Sequence, residues 1–276
     1  MTLQTSDDLL ICTNCGTQYA ETSNLPECRI CEDPRQCITP AGQTWTTLKE
    51  LKAKGHKNAF ERQENDSKVV EIWTEPKFAI GQGSCFIQTP HGNVMWDCIA
   101  FLDQDTVNKI NELGGLKFIV ISHPHMYTTW ADWSRTFKCP VYVSEPDSIW
   151  INRRDAPGAE LRIITDKYTE LLPGLTTAIC GGHFDGSMVM HSAVPNTDLP
   201  SLFVTDTIFI VASGHNPDPG KRSDIISYQF LRSFPNIIPL APDVVLQIWR
   251  SLKPFEFKAT YGVWAKVMNN CRWTLH

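Results

Sequence analysis

Beyond residue 68 the chain is a succession of short apolar runs broken by turn residues. "KVVEIWTEP", "FAIGQGSCFIQT" and "VMWDCIAF" follow one another closely, the last two joined by the turn "PHGN", and all three read as strands. "DQDTVNKINELGG" opens on acidic residues, carries apolar positions at helical spacing and ends on glycines, which predicts a helix. "LKFIVIS" reads as a buried strand, "WADWSRTF" as a helix, "CPVYVSE" as a strand and "EPDSIWINR" as a short helix. A second strand-rich series runs through "AELRIITD", "YTELLPG", "LTTAICGGH", "SMVMHSA" and "SLFVTDTIFI". It closes on the amphipathic helix "LAPDVVLQIWRSLKPF", with Leu246, Ile248 and Leu252 among its apolar positions, and a last strand in "FKATYGV". Two β-rich halves, each closed by helices, predict an α/β sandwich with helices outside two sheets.

The first 68 residues follow another pattern. "TWTTLKELKAKG" predicts a capped short helix stopped by Gly55, and the polar "HKNAFERQENDSKV" reads as a linker or exposed loop. Ahead of them, Cys12, Cys15, Cys28 and Cys31 form two Cys-x-x-Cys knuckles separated by twelve residues. Each knuckle turns two thiolates toward one ion, and two knuckles complete a tetrahedron. Some forty residues bury little core, so an ion would stabilise them instead. Zinc is the default for four thiolates. The expected division is a zinc-ribbon module at 1–42, a connecting helix and linker at 43–69, and a main domain at 70–276.

The chain has 276 residues, a net charge of −5 and no run of basic residues, which gives no footprint for nucleic acid. No apolar run approaches the about 18 residues of a spanning helix, and the N-terminus lacks a secretory pattern, so no membrane partner is expected. Six of the ten cysteines (Cys37, Cys85, Cys98, Cys139, Cys180 and Cys271) lie outside the knuckles and read as buried small hydrophobes. A reducing, cytoplasmic location follows. The sequence carries no signature of oligomeric state.

The candidate chemistry starts at "FIVISHPHMYTTW", where a strand ends in His123 and His125, spaced so that both imidazoles reach one ion. His183 stands among glycines in "CGGHFDGS", and Asp206 ends the apolar run in "FVTDT". Three imidazoles and a carboxylate suit Zn²⁺ or Fe²⁺. Asp132 and Asp185 are further carboxylates expected near the site as brace or base. Trp130, Trp133 and Trp264 read as core, and His91, His191, His215 and His276 as surface or structural residues. The loop around His215 is a candidate cover for the site.

In this order the segments resemble the metallo-β-lactamase fold superfamily across roughly residues 70 to 265, and more narrowly a subgroup with an N-terminal rubredoxin-like zinc ribbon. "VMWDCIAF" resembles the strand whose aspartate, here Asp97, braces the site. "SHPHMYTT" resembles the His-x-His-x-Asp-His loop, and "LFVTDTIF" the Gly-Asp-Thr segment, with Thr205 in place of glycine. "CTNCGTQY" resembles the first knuckle of rubredoxin, whereas "CRICED" lacks the second knuckle's glycine. The resemblance implies an αββα sandwich. It also implies one main-site ion, because Tyr127, Thr128 and Tyr261 stand where a second ion would have ligands. The expected activity is zinc-dependent hydrolysis of a small-molecule ester, thioester, lactone or amide, with Asp206, Tyr127 or Asp132 handling the proton. The alternatives are a mononuclear iron oxidoreductase of the same fold and a non-catalytic metal-binding interaction protein.

Overall fold

The computed structural model describes residues 1–38, 40, 42–63, 66–194, 199–211 and 228–264. The expectations for His215 and its loop, Cys271 and His276 fall outside the described residues. β1 (Ile11–Cys12) pairs antiparallel with β2 (Trp45–Thr46) and closes the N-terminal module. Helix α1 (Leu48–Ala53) follows, capped by the Thr47 side chain, which accepts from the Glu50 amide. Leu48 and Leu51 pack with Ile11 and Phe101, so this helix joins the module to the main domain.

The first large sheet holds seven strands in sequence order. They are β3 (Lys57–Arg62), β4 (Val69–Glu75), β5 (Gly83–Ile87), β6 (Val94–Trp96), β7 (Phe118–Val120), β8 (Pro140–Ser144) and β9 (Glu160–Ile164). β3 to β6 are joined antiparallel and β6 to β9 parallel. The second sheet orders β10 (Tyr168–Leu172), β11 (Leu175–Ile179), β12 (Met188–Ser192), β13 (Ser201–Val204) and β18 (Ala259–Gly262). Two small antiparallel pairs lie between β13 and β18. β14 (Phe209–Ile210) pairs with β15 (Tyr228–Gln229), and β16 (Leu231–Ser233) with β17 (Ile238–Pro239).

Side chains from both sheets share one core, in which Trp96, Ile119 and Val141 meet Leu175, Met190 and Phe203. Helices α2 (Gln104–Glu112) and α3 (Trp130–Phe137) add Val107, Ile110 and Trp133 to it. Helix α4 (Pro242–Leu252) covers the second sheet through Ile248. This is the αββα sandwich of metallo-β-lactamase type with a small N-terminal ribbon built on four cysteines.

Four local expectations need correction. Residues 57–62 are no linker but the edge strand β3, paired with β4 over its whole length. Its polar side chains fit an edge, where one margin and much of the surface stay in water. "EPDSIWINR" forms only a single 3-10 turn at Ser148–Trp150. On α4, Leu246 is 43% exposed, so the buried stripe is narrower than the sequence suggests. Cys37 is exposed, unlike Cys85, Cys98, Cys139 and Cys180, which are buried. Among the described residues no helix is long and apolar enough to cross a membrane.

Candidate metal centre

His123 and His125 lie just beyond β7, on a 3-10 turn at Pro124–Met126, and Asp206 lies two residues beyond β13. His183 comes from the loop between β11 and β12. That loop passes through spaces only glycine fits. A Cβ on Gly182 would stand 2.5 Å from Thr207 Oγ1, and one on Gly186 would stand 2.1 Å from Ser144 Oγ. Gly182 also has φ +100°, a backbone region that side-chain-bearing residues rarely enter. The Met188 amide donates to the Ser122 carbonyl at 2.9 Å, joining this loop to the start of the histidine loop.

The four donor atoms converge. Asp206 Oδ2 lies 3.2 Å from His123 Nε2, 3.7 Å from His125 Nδ1 and 3.5 Å from His183 Nε2. His183 Nε2 and His125 Nδ1 are 3.1 Å apart. Bonds of about 2.0–2.1 Å to a tetrahedral ion would place neighbouring donors about 3.3–3.4 Å apart, close to this spacing. His123 Nε2 is buried beside the carboxylate yet makes no hydrogen bond of acceptable geometry, as expected of a lone pair aimed at a shared centre. The donor set therefore fits one ion.

Hydrogen bonds orient the two rings that present Nε2. His183 Nδ1–H donates to the Leu231 carbonyl at 3.0 Å, leaving Nε2 as the free donor atom. His123 Nδ1 lies 2.8 Å from Ser122 Oγ, and that hydroxyl donates to Asp97 Oδ2 at 3.0 Å. Asp97 is buried with φ 65° and also accepts from the Ser122 amide and the Thr205 hydroxyl. It thus occupies the bracing position, and Thr205 supports it. Burial pushes the Asp97 carboxyl up to about 6, although His123, Thr205 and Ser122 pull the other way. Burial drives His125 and His183 below the ordinary imidazole range, toward the neutral form that can ligate. At Asp206 burial works upward, but His123 and then the other histidines hold the carboxyl well below the usual range.

A cavity of about 200 Å³ opens beside His125, His183 and Asp206, walled by Phe209, Phe234 and Trp264. A larger apolar cavity of about 620 Å³ lies against α4 and is lined by none of the four donors. Sequence reasoning placed Trp264 in the core. It does pack, partly buried, against that core, and parallel pairing of Val204 with Gly262 also brings it opposite Asp206, where its Nε1–H donates to Oδ1 at 2.8 Å.

Tyr127 and Asp132, the other proposed proton carriers, are not brought to the cluster. The Tyr127 hydroxyl is buried and donates to the Asp147 carbonyl at 2.8 Å. Asp132 pairs with Arg135 at 2.8 Å and Arg153 at 3.0 Å and accepts from the Ser6 amide, anchoring the N-terminus. Asp185 is exposed. Tyr261 turns its hydroxyl to Asp66 at 3.4 Å. Among the described residues, the only other cluster of this kind is Cys12, Cys15, Cys28 and Cys31. There Sγ–Sγ distances are 3.7 Å for Cys12–Cys31 and 3.5 Å for Cys15–Cys28. Four Zn–S bonds of about 2.3 Å would give about 3.8 Å. Tyr19, Asn14 and Gln43 each direct a donor at a sulfur, at 3.1, 3.2 and 3.3 Å, as suits thiolates sharing an ion.

A scan against models of known families finds no match. The chain is 39% identical over 259 residues to the uncharacterized protein YmaE of Bacillus subtilis (strain 168), covering 94% of this chain and 89% of YmaE. The chain belongs to the YmaE family. Solved structures place this YmaE-family protein in the metallo-β-lactamase fold. VMB-1 at pH 5.5 superposes with a TM-score of 0.51 at 15% identity, covering 75% of this chain and 89% of that one. DIM-1 metallo-β-lactamase exposed to ceftazidime does so at 0.51 and 12% identity, with the same coverage.

Proposed function

We propose that this YmaE-family protein is a single-ion hydrolase acting on the acyl group of a small molecule. The observation that carries the reading is the convergence of His123, His125, His183 and Asp206 at tetrahedral spacing beside an apolar cavity. An ion held there supplies Lewis acidity, polarising an acyl oxygen and acidifying water near neutral pH. Zinc is the metal this reading assigns to both clusters.

The chain's own part is orientation and proton handling. Ser122 and Leu231 fix which nitrogens of His123 and His183 face the centre. Phe209, Phe234 and Trp264 give the cavity an apolar wall and leave room for a small acyl group. Asp206 divides its oxygens, with Oδ2 among the histidines and Oδ1 on the Trp264 indole. With Tyr127 and Asp132 committed elsewhere, Asp206 is the carboxylate left at the cavity, where the histidines keep it ionised and it can orient a water by accepting its hydrogen bond.

One observation favours a second reading. With four protein donors, a hydrolytic zinc must expand to a fifth position to take water, whereas a six-coordinate iron keeps two positions open, which suits the mononuclear iron oxidoreductase. Elemental analysis of full-length protein purified without added metal, followed by an ester, thioester and lactone panel, separates the two. Two zinc ions per chain with metal-dependent turnover support hydrolysis. Stoichiometric iron, or no turnover at full zinc loading, overturns it.

A further inference from the structure

The four-cysteine module does more than sit beside the metal centre. Two side chains, one buried and one partly buried, connect it to the backbone of both histidine loops. Gln82 is 4% exposed, and its Nε2 donates to the Cys15 carbonyl at 2.6 Å and to the His125 carbonyl at 3.1 Å. A side-chain amide has two protons on that nitrogen, and both are used. One carbonyl belongs to a ligand of the first cluster and the other to a ligand of the second.

The other connection is Arg35, four residues beyond Cys31. Its Nε–H donates to the His183 carbonyl at 2.7 Å, and its guanidinium stands 4.3 Å over the Phe184 ring. Asp33 holds Nη1 at 2.7 Å and so fixes the side chain. The Arg35 carbonyl accepts from Ser233 Oγ at 3.0 Å. Ser233 is in turn two residues past Leu231, whose carbonyl orients the His183 ring. The Gln18 amide adds a third link, donating to the Thr128 carbonyl at 3.0 Å.

We propose that the ion at Cys12, Cys15, Cys28 and Cys31 sets the affinity of the His/Asp centre, with Gln82 and Arg35 as the positioning residues that transmit it. Leu10, Ile11, Thr17 and Gln18 are buried too, but the cluster inside the module is little more than the four cysteines with Tyr19 and Ile30, so its ion fixes the Cys15 carbonyl and the course of the chain to Arg35. Without that ion Gln82 loses one of its two acceptors, and the His125 and His183 backbones lose their common reference. Donors spaced 3.1–3.7 Å apart tolerate little displacement before they stop sharing one ion. The coupling is reciprocal, so the main-site ion must stabilise the module by the same factor. The proposal needs both clusters to bind metal but does not need the site to hydrolyse anything.

The test is cobalt titration of the full chain against a competing chelator. Thiolate-to-cobalt charge-transfer bands report the four-cysteine site, and the weaker visible bands of a nitrogen and oxygen set report the other. Gln82→Glu is nearly isosteric but replaces the two-proton donor with an acceptor, so it cuts the connection without touching a cysteine. It is expected to keep the charge-transfer bands while main-site affinity falls at least about tenfold, the range seen when groups behind metal ligands are lost. Arg35→Ala should act in the same direction, and the surface variant Lys49→Ala should change nothing. Cys28→Ser should abolish the charge-transfer bands and weaken the main site together. If that variant unfolds, Gln82→Glu decides alone. Main-site affinity within twofold of wild type in Gln82→Glu overturns the proposal.

Discussion

The Trp264 indole donates to Asp206 Oδ1 at 2.8 Å, while Oδ2 of the same carboxylate faces three histidines. In two-ion members of the fold the matching aspartate bridges to the second ion, as the resemblance implies. Here a neutral N–H donor takes Oδ1. The indole satisfies Oδ1 without adding charge, which suits a one-ion site.

Removing that donor should therefore be felt at the metal. A hydrogen bond to a charged acceptor is worth about 1.5–3 kcal/mol. Trp264→Phe keeps an aromatic wall but leaves Oδ1 unpaired. Main-site affinity should fall roughly tenfold while the ion on the four cysteines is retained. Chelator competition with metal analysis checks this, and unchanged affinity would contradict the assignment.

His183→Ala and Asp206→Asn should separate holding the ion from using it. His183 contributes one imidazole to the main site and no ligand to the four-cysteine site, so its loss should lower stoichiometry by one ion and abolish turnover, with the cysteine-bound ion retained at reduced affinity. Asp206→Asn keeps an oxygen donor but no charge. It should bind the ion more weakly, be loadable at excess metal, and still fail to hydrolyse an ester or lactone. Turnover surviving in either variant would exclude the proposed mechanism.

The metal cluster was legible in the sequence because its residue types are few and its loops end apolar runs. Apart from Asp97, the residues that hold it in place were not. Gln82, Arg35 and Trp264 reach partners 67, 148 and 58 positions away along the chain, and two of the three bind backbone carbonyls, which carry no sequence signal. β3 was hidden for a related reason, since an edge strand needs no apolar face and is defined by pairing with β4. Trp264 was readable only with the β13–β18 register in hand.

Gly182→Ala tests whether the His183 loop depends on glycine. The new Cβ would meet Thr207 Oγ1 at 2.5 Å and Ile248 Cδ1 at 2.8 Å, at a φ of +100°. Overpacking and backbone strain together should cost about 1–3 kcal/mol or more. A lower urea midpoint with loss of the main-site ion is the expected outcome.

Asp147 gives a pH dependence whose sign can be worked out. Burial pushes its carboxyl up to about 7 from 3.8, although Oδ1 accepts from the Gly186 amide at 2.7 Å. The folded state then holds a proton that the unfolded state has released. Its stability contribution is complete below the unfolded value and is lost as pH rises through the folded one. Across that window each pH unit removes up to about 1.4 kcal/mol. Asp147→Asn keeps an acceptor for Gly186 and cannot ionise, so it should flatten this slope and be relatively more stable at pH 8 than at pH 4. Urea melts at the two pH values measure it, and parallel slopes would refute the burial argument.

Tyr127→Phe decides whether the residue standing in the place of a missing aspartate has taken over its chemistry. Its hydroxyl is fully enclosed and donates to the Asp147 carbonyl at 2.8 Å, so it fastens the histidine loop to the chain beyond β8. Burial raises its pKa well above the ordinary phenol range, so it is a poor proton acceptor near neutral pH. Deleting the hydroxyl removes one of two hydrogen bonds to the Asp147 carbonyl, which keeps the Trp150 amide at 3.1 Å, a loss of about 0.5–1.5 kcal/mol in stability. Metal stoichiometry should not change, and neither should turnover measured well below the unfolding midpoint. A large rate loss at unchanged metal content and stability would instead place that hydroxyl in the reaction beside Asp206.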